Sequence, residues 1–291
     1  MRKISRSAQF ILRTSLLAAL VGVAGAKQVD LVVLIASDVA QCDSPGAQLT
    51  GQLIKSLPYP VLVAGDLAYP NGSSEDFARC YTPHWGEFKD RTYPAPGNHE
   101  YGTPDAAGYF SYFGARAGEP GKGYYSFDLG AWHIVSLNSN RELEAGTPQL
   151  QWLEADLRRH RQRCVLAYWH HPRYSSGPHG SDEKMQAIWA LLQRNGVSVI
   201  VTGHDHIYER FAPMNAQGEG DPVRGMRSFV VGTGGAKPYA LKQRHALSET
   251  ADGQAWGVLK MTLHATGYAW EFLPVAGQTL RDAGSAQCVA R

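Results

Sequence analysis

The sequence predicts a single-domain α/β fold, a four-layer α/β/β/α sandwich of two mixed sheets, and three observations predict it. Short apolar runs rich in β-branched residues stop, one after another, at polar or glycine clusters. Helical periodicity fills several of the gaps between them, the alternation that builds α/β proteins. Beyond Arg227 that periodicity fades, and strand-like runs follow one another directly.

In chain order, Leu31 to Ala36 ends at Ser37-Asp38, and Val61 to Ala64 ends at Gly65-Asp66. Thr92 to Pro96 ends at Gly97-Asn98-His99-Glu100, and Trp132 to Leu137 ends at Asn138. Val165 to Trp169 runs into His170-His171, and Val197 to Thr202 into Gly203-His204-Asp205-His206. Ser228 to Val231, Trp256 to Leu263 and Gly267 to Leu273 complete the strands. Residues from about Gln48 to Leu57 form the first helix candidate. Leu150, Leu153 and Leu157 recur at helical spacing after Thr147-Pro148, where proline suits a first turn. Met185, Ile188, Leu191 and Leu192 do the same after Ser181, and Asn195-Gly196 supplies the stop. Residues 101–123 and 212–226 read as loops, and no internal repeat or low-complexity linker separates domains.

Arg2, Lys3, Arg6 and Arg13, then Leu16 to Val21, then Ala24-Gly25-Ala26 follow the order of a secretory signal. Residues 1–26 are therefore expected to be removed, leaving 27–291 as a single exported (periplasmic or secreted) domain. No later stretch is apolar for long enough to span a bilayer. Lys+Arg 28 against Asp+Glu 26 shows no basic excess, which argues against a general nucleic-acid binder. Cys42, Cys80, Cys164 and Cys288 suit two disulfides in an oxidising compartment. Three pairings are open. Cys42–Cys80 with Cys164–Cys288 is favoured because the first two would flank neighbouring strand-end loops.

The polar clusters all follow the C-terminal ends of strands, where open α/β sheets place ligand sites. They offer carboxylates (Asp38, Asp66), a phenol (Tyr69), an amide oxygen (Asn98) and imidazoles (His99, His170, His171, His204, His206). Oxygen and nitrogen donors without thiolate suit iron, zinc or manganese. The set is too large for one tetrahedral zinc, and two ions about 3.5–4 Å apart sharing a carboxylate use it economically.

Five pieces carry a family resemblance: Ser37-Asp38-Val39-Ala40, Gly65-Asp66-Leu67-Ala68-Tyr69, Gly97-Asn98-His99-Glu100, His170-His171-Pro172, and Gly203-His204-Asp205-His206 continued by Ile207-Tyr208-Glu209-Arg210. In this order, over residues 31–210, the chain resembles the calcineurin-like metallophosphoesterases, and within them the purple acid phosphatases. The resemblance implies that Asp38, Tyr69 and His206 hold one metal, that Asn98, His170 and His204 hold the second, and that Asp66 bridges both. Ala40 stands where the wider superfamily usually has a histidine, and Tyr69 can fill that vacancy. A phenolate donor suits a ferric ion, and the resemblance implies Fe(III) paired with Zn, Mn or Fe(II). Five positive charges against two carboxylates and one phenolate leave about two to hold hydroxide and an anionic ester.

The activity implied is hydrolysis of small phosphate monoesters by in-line attack of a metal-bound hydroxide, without a phosphoenzyme. His99 follows a ligand without sharing its metal, so it is free to contact phosphate or protonate the leaving oxygen. His179 sits where the family places a substrate-contacting histidine.

Each piece also has a plainer reading. Asp38, Gly65-Asp66 and Gly97-Asn98 singly would be turns or caps, and their joint pattern is what favours a metal site. His171 reads as a pocket residue, and Arg173 as either a substrate contact or an exposed cation. Gly232-Thr233-Gly234-Gly235 lacks the lysine and helix of a P-loop, so it reads as a tight turn. His84, His133, His160, His245 and His264 join no cluster. The alternatives are a phosphodiesterase or nucleotidase with the same metals and, from another class, a noncatalytic metal or phosphate binder. No oligomeric state is implied.

Overall fold

Along β1 (Leu31–Ala36), Val33 and Ile35 face one way and Leu34 and Ala36 the other, and all four are buried. A strand covered on both faces belongs to an interior sheet layer. β2 (Val61–Ala64) and β3 (Thr92–Ala95) extend that sheet in parallel. β4 (Tyr125–Leu129), β5 (Trp132–Ser136), β6 (Cys164–Tyr168), β7 (Val199–Thr202), β8 (Tyr208–Phe211), β9 (Arg227–Val231) and β10 (Ser248–Asp252) build a second sheet. β11 (Gly257–Leu263), β12 (Gly267–Pro274) and β13 (Ala283–Gln287) return to the first. The strand orders are β13-β12-β11-β1-β2-β3 and β10-β8-β9-β7-β6-β5-β4, both with parallel and antiparallel pairs. The computed structural model describes residues 30–160, 162 and 164–290, so the expected signal segment lies outside the described residues.

Three apolar cores separate four layers. Val33, Ile35 and Leu62 meet Ile134, Leu166, Val201 and Phe229 between the sheets. Val165, Ala167 and Ile200 on the other face of the second sheet pack Leu153 and Leu157 of the helix Pro148–Arg159 and Ile188 and Leu192 of the helix Gln186–Arg194. Leu34 and Val63 pack Ala47 and Ile54 of the helix Gly46–Lys55, with Tyr81, Trp85 and Tyr109. The period-two alternation of the strands thus sets the layer order. The disulfides pair as favoured, Cys42–Cys80 and Cys164–Cys288. Among the described residues, no helix is long and apolar enough to cross a membrane.

The main strand and helix expectations hold to within a few residues. One does not: residues 101–123 contain the helix Ala107–Phe113, bounded by short 3₁₀ turns. Its Tyr109 and Phe113 are buried, so burial decides the structure of a stretch that reads as a loop in sequence. Residues 212–226 are irregular, as expected.

Candidate metal centre

Three residues just beyond strand ends hold left-handed backbone: Asp38 (φ 58), Asp66 (φ 50) and His204 (φ 70). Each such conformation costs about 1–2 kcal/mol in a non-glycine residue, and this type of strain gathers at functional sites. The loops after β1 and β2 run alongside each other, with Val39 N donating to Asp66 O (2.9 Å) and Tyr69 N to Ala40 O (3.0 Å). This brings Asp38, Asp66 and Tyr69 together. Two glycines make the close approach possible. A Cβ on Gly97 would collide with the Asp66 carboxylate, and one on Gly203 with Ser37 and Asp38.

The donors converge in two groups. Tyr69 Oη lies 3.0 Å from Asp38 Oδ1 and 3.1 Å from His206 Nε2, and His206 Nε2 lies 3.4 Å from Asp38 Oδ1. His170 Nε2 lies 3.1 Å from Asn98 Oδ1, and its ring centre is 5.1 Å from that of His204. Asp66 Oδ2 touches both groups, 3.3 Å from Tyr69 Oη and 3.1 Å from His170 Nε2. Backbone carbonyls, which can only accept, fix two ring tautomers. His170 Nδ1–H donates to Ala64 O (2.9 Å) and His206 Nδ1–H to Lys237 O (2.8 Å), leaving each Nε2 aimed at the cluster.

The protein's own charges act strongly here. Burial works against ionised Asp38, but His206, His170 and His204 outweigh it and hold the carboxyl well below its ordinary range. Burial likewise opposes charge on His170, yet Asp66 and Asp38 lift it to about 9. Burial and the neighbouring His170 push His204 down to about 3 and His171 to about 2. Burial, then Asp38 and Asp66, raise the Tyr69 phenol well above 10. A cation among these oxygens would reverse that last effect. The donor set, two carboxylates, a phenol, an amide oxygen and imidazole nitrogens, fits cations by its chemistry, and the ligand atoms of Asp38, Asp66 and His170, and those of His170, His171 and His204, lie within 4.8 Å of one another.

The seven expected ligands meet here, with His99, His171 and His179 beside them. His99 Nε2 lies 3.7 Å from Asp66 Oδ2, and its ring centre lies 4.2 Å from that of Tyr69. The His179 ring centre is 4.2 Å from that of His204. His171 lines the pocket edge, with Nδ1 2.7 Å from Ser139 Oγ. Arg173 is a buried partner of Glu183 and Gln186 (2.9 and 3.0 Å), which removes the exposed-cation reading. The turn after β9 buttresses Asp38, with Gly234 N donating to Ser37 O (2.9 Å) and Ala236 N to Asp38 O (2.8 Å).

Three buried carboxylates escaped the sequence reading. Glu100 accepts from the backbone N–H of Asp66, Leu67, Ala68 and Gly97 at 2.7–3.3 Å, tying two ligand loops together. Burial and Asp66 raise its carboxyl to about 7 despite those donors. Asp205 accepts from Ser175 Oγ (2.5 Å), His179 N (2.9 Å) and Gly180 N (3.2 Å). Glu209 holds Ser176 through its N–H (2.8 Å) and hydroxyl (2.5 Å). The family motifs contained all three, but apart from Gly97 their partners lie far away in sequence.

A family model for calcineurin-like phosphoesterases matches residues 31–208, the stretch that carries every donor described. The chain belongs to the calcineurin-like phosphoesterase family. Within it, the chain is 31% identical over 198 residues to purple acid phosphatase 18 of Arabidopsis thaliana and 33% identical over 198 residues to purple acid phosphatase 21 of the same plant. Each match covers 60% of this chain and 43% of the relative, so the chain spans under half the length of these relatives. The solved purple acid phosphatase PPD1 from yellow lupin seeds (Lupinus luteus) shares the fold with a TM-score of 0.78. That match is 21% identical and covers 90% of this chain and 54% of the lupin chain.

Proposed function

We propose that this chain is an exported binuclear-metal phosphoesterase that hydrolyses phosphate monoesters. The observation that carries the reading is the position of Asp66, one carboxylate oxygen within 3.3 Å of donors in both groups. In this reading Asp38, Tyr69 and His206 hold one ion, Asn98, His170 and His204 hold the other, and Asp66 joins them. Fe(III) beside Tyr69, with Zn, Mn or Fe(II) at the second position, suits these donors. Bound there, the ions supply an activated water and offset charge building on the phosphoryl oxygens. The two disulfides and the signal-like segment 1–26 support export.

The chain's own groups do the rest. His99 Nδ1 lies 2.5 Å from Pro70 O, so Nδ1 carries a hydrogen and the ring is fixed with Nε2 facing the site. Protonated Nε2 delivers its hydrogen to the leaving oxygen as the P–O bond breaks. His179, held by Asp205, reaches the phosphoryl oxygens from the side of His204. Left-handed Asp38, Asp66 and His204 keep the donors set before substrate arrives.

The test is to load the protein with iron and measure metal content, colour and turnover of an aryl phosphate together. Two ions per chain, visible colour and turnover are expected, and Tyr69→Phe should bleach the colour. A fully loaded protein inert towards a broad ester panel would reject the enzyme reading, and a colourless ferric-loaded wild type would reject the phenolate.

A further inference from the structure

The metal donors gather beyond the C-terminal end of β7. At the opposite end of that strand, four segments enclose a cleft of ≈ 480 Å³. Arg158 comes from the last turn of the helix Pro148–Arg159 and Arg194 from the last turn of the helix Gln186–Arg194. Arg224 comes from the irregular segment 212–226, and Val289 and Ala290 form the remaining wall. All three arginines are exposed.

Two of them have a plain explanation. A cation in a last turn offsets the partial negative charge of the helix end, and Arg158 also pairs with Glu154 (3.3 Å). Arg224 ends no helix. Asp221, three residues before it, accepts at Oδ1 from the backbone N–H groups of Val223 and Arg224 (3.1 and 2.8 Å). Among the described residues, neither Arg194 nor Arg224 has a carboxylate partner.

The walls are also pinned in place. Ala216 N donates to Gln193 Oε1 (2.8 Å), which ties the loop to the helix carrying Arg194. Gly225 N donates to Asp221 O and Met226 N to Met214 O, both at 2.9 Å, and these close the loop beside Arg224. Val289 N donates to Ser198 Oγ (3.0 Å), next to the Cys164–Cys288 disulfide. A concave wall lined by one sign of charge concentrates the opposite sign.

We propose that this cleft is an anion site, separate from the metal centre, that takes a phosphate group. A carboxylate has two oxygens and satisfies one guanidinium fork, whereas forks from three segments match the several oxygens of a tetrahedral anion. The phosphate belongs either to a small free anion or to a lipid headgroup. Val223, 77% exposed beside Arg224, is an apolar side chain that a bilayer surface would cover and a free anion would not.

The experiment titrates metal-loaded protein with methylphosphonate, whose P–C bond a phosphoesterase leaves intact, by calorimetry. It also sediments the protein with vesicles of phosphatidylcholine, with and without phosphatidylglycerol. Wild type is compared with Arg194→Glu and Arg224→Glu, both at exposed positions, with circular dichroism to check folding. Wild type is expected to bind at least one probe, and each variant to bind it about tenfold or more weakly, as loss of a charge-assisted contact requires. Turnover of an aryl phosphate should stay unchanged. Loss of vesicle binding in the variants assigns the phosphate to a headgroup. Loss of methylphosphonate binding, with no vesicle binding in wild type, assigns it to a free anion. A variant that binds both probes as wild type does, or that loses turnover together with the anion, overturns the separate site.

Discussion

Two clusters of histidine and aspartate occupy opposite ends of the second sheet, and they are built on opposite principles. The donor row lies beyond the C-terminal ends of β6 and β7. The other, Asp128, His133, Asp156 and His160, lies by the start of β5 and the helix Pro148–Arg159. His133 puts Nδ1 2.7 Å from Asp128 and Nε2 2.8 Å from Asp156. Both nitrogens face carboxylates, so with these ionised His133 is a doubly donating imidazolium with no lone pair left for a cation. His160 stacks on it at 4.3 Å with planes 13° apart, an arrangement whose nitrogens point alongside one another instead of at a common centre. The backbone of Asp128, His133 and Asp156 is ordinary strand and helix. In the donor row, carbonyls occupy the outer nitrogens of His170 and His206, the inner ones converge, and the backbone is strained. Residue type does not separate a metal centre from an ion-pair network. The partners of the outer ring nitrogens do, neutral carbonyls for His170 and His206 against carboxylates on both nitrogens of His133.

The largest expected effect tests that contrast directly. Asp66→Ala should strip both ions, measured by elemental analysis, and cut turnover by more than about 10²-fold. Retention of two ions per chain would reject the bridge. Asp156→Ala should leave metal content unchanged but lower unfolding free energy by about 3 kcal/mol, because it leaves buried His133 with a broken pair. A urea melt reads that loss. If Asp156→Ala lost metal instead, the two clusters would have been distinguished wrongly.

Next comes the proton. His99→Ala should lower kcat by at least about 10²-fold while two ions remain bound. Unchanged kinetics would take His99 out of the reaction. A smaller effect is expected one step away. Asp205→Asn removes a carboxylate acceptor from the segment carrying His179, so KM for an aryl phosphate should rise about tenfold with kcat less affected. A kcat loss at constant KM would show that Asp205 acts elsewhere.

These residues also mark what the sequence could disclose. The central strands were legible because they are buried on both faces and read as unbroken apolar runs, and the donors because they sit where those runs stop. The edge strands β4, β10 and β13 are half-exposed, carry mixed residues and give no such run. The helix Ala107–Phe113 is held by aromatic packing on Tyr81 and Phe77 more than by any periodic stripe. Glu100, Asp205 and Glu209 were invisible for a different reason. Each accepts hydrogen bonds from loop segments about 25–35 residues away, and no local pattern announces a carboxylate that serves distant backbone N–H groups.

The smallest effect is the pH response of the closed cluster. Burial opposes charge on His133, but its bonds to Asp156 and Asp128 outweigh this and hold its pKa above the ordinary 6.5. A raised histidine contributes stability that is complete below about 6.5 and lost as pH climbs through the raised value. Asp156 runs the other way. Burial would raise it, His133 outweighs burial and lowers it, so its share is present above its ordinary 3.8 and lost as pH falls through the lowered value. His160 and Ser126, each 3.0 Å from Asp156, and Gln162, 2.9 Å from Asp128, are also among the surroundings. The cluster therefore supports the fold best in mild acid and weakens in alkali. Charge-assisted bonds contribute about 1.5–3 kcal/mol, so the melting temperature of wild type should fall a few degrees further between pH 6 and 9 than that of His133→Gln. Parallel curves for the two proteins would mean that His133 stays neutral, and the contrast between a closed, charged pair and an open donor row would lose its physical basis.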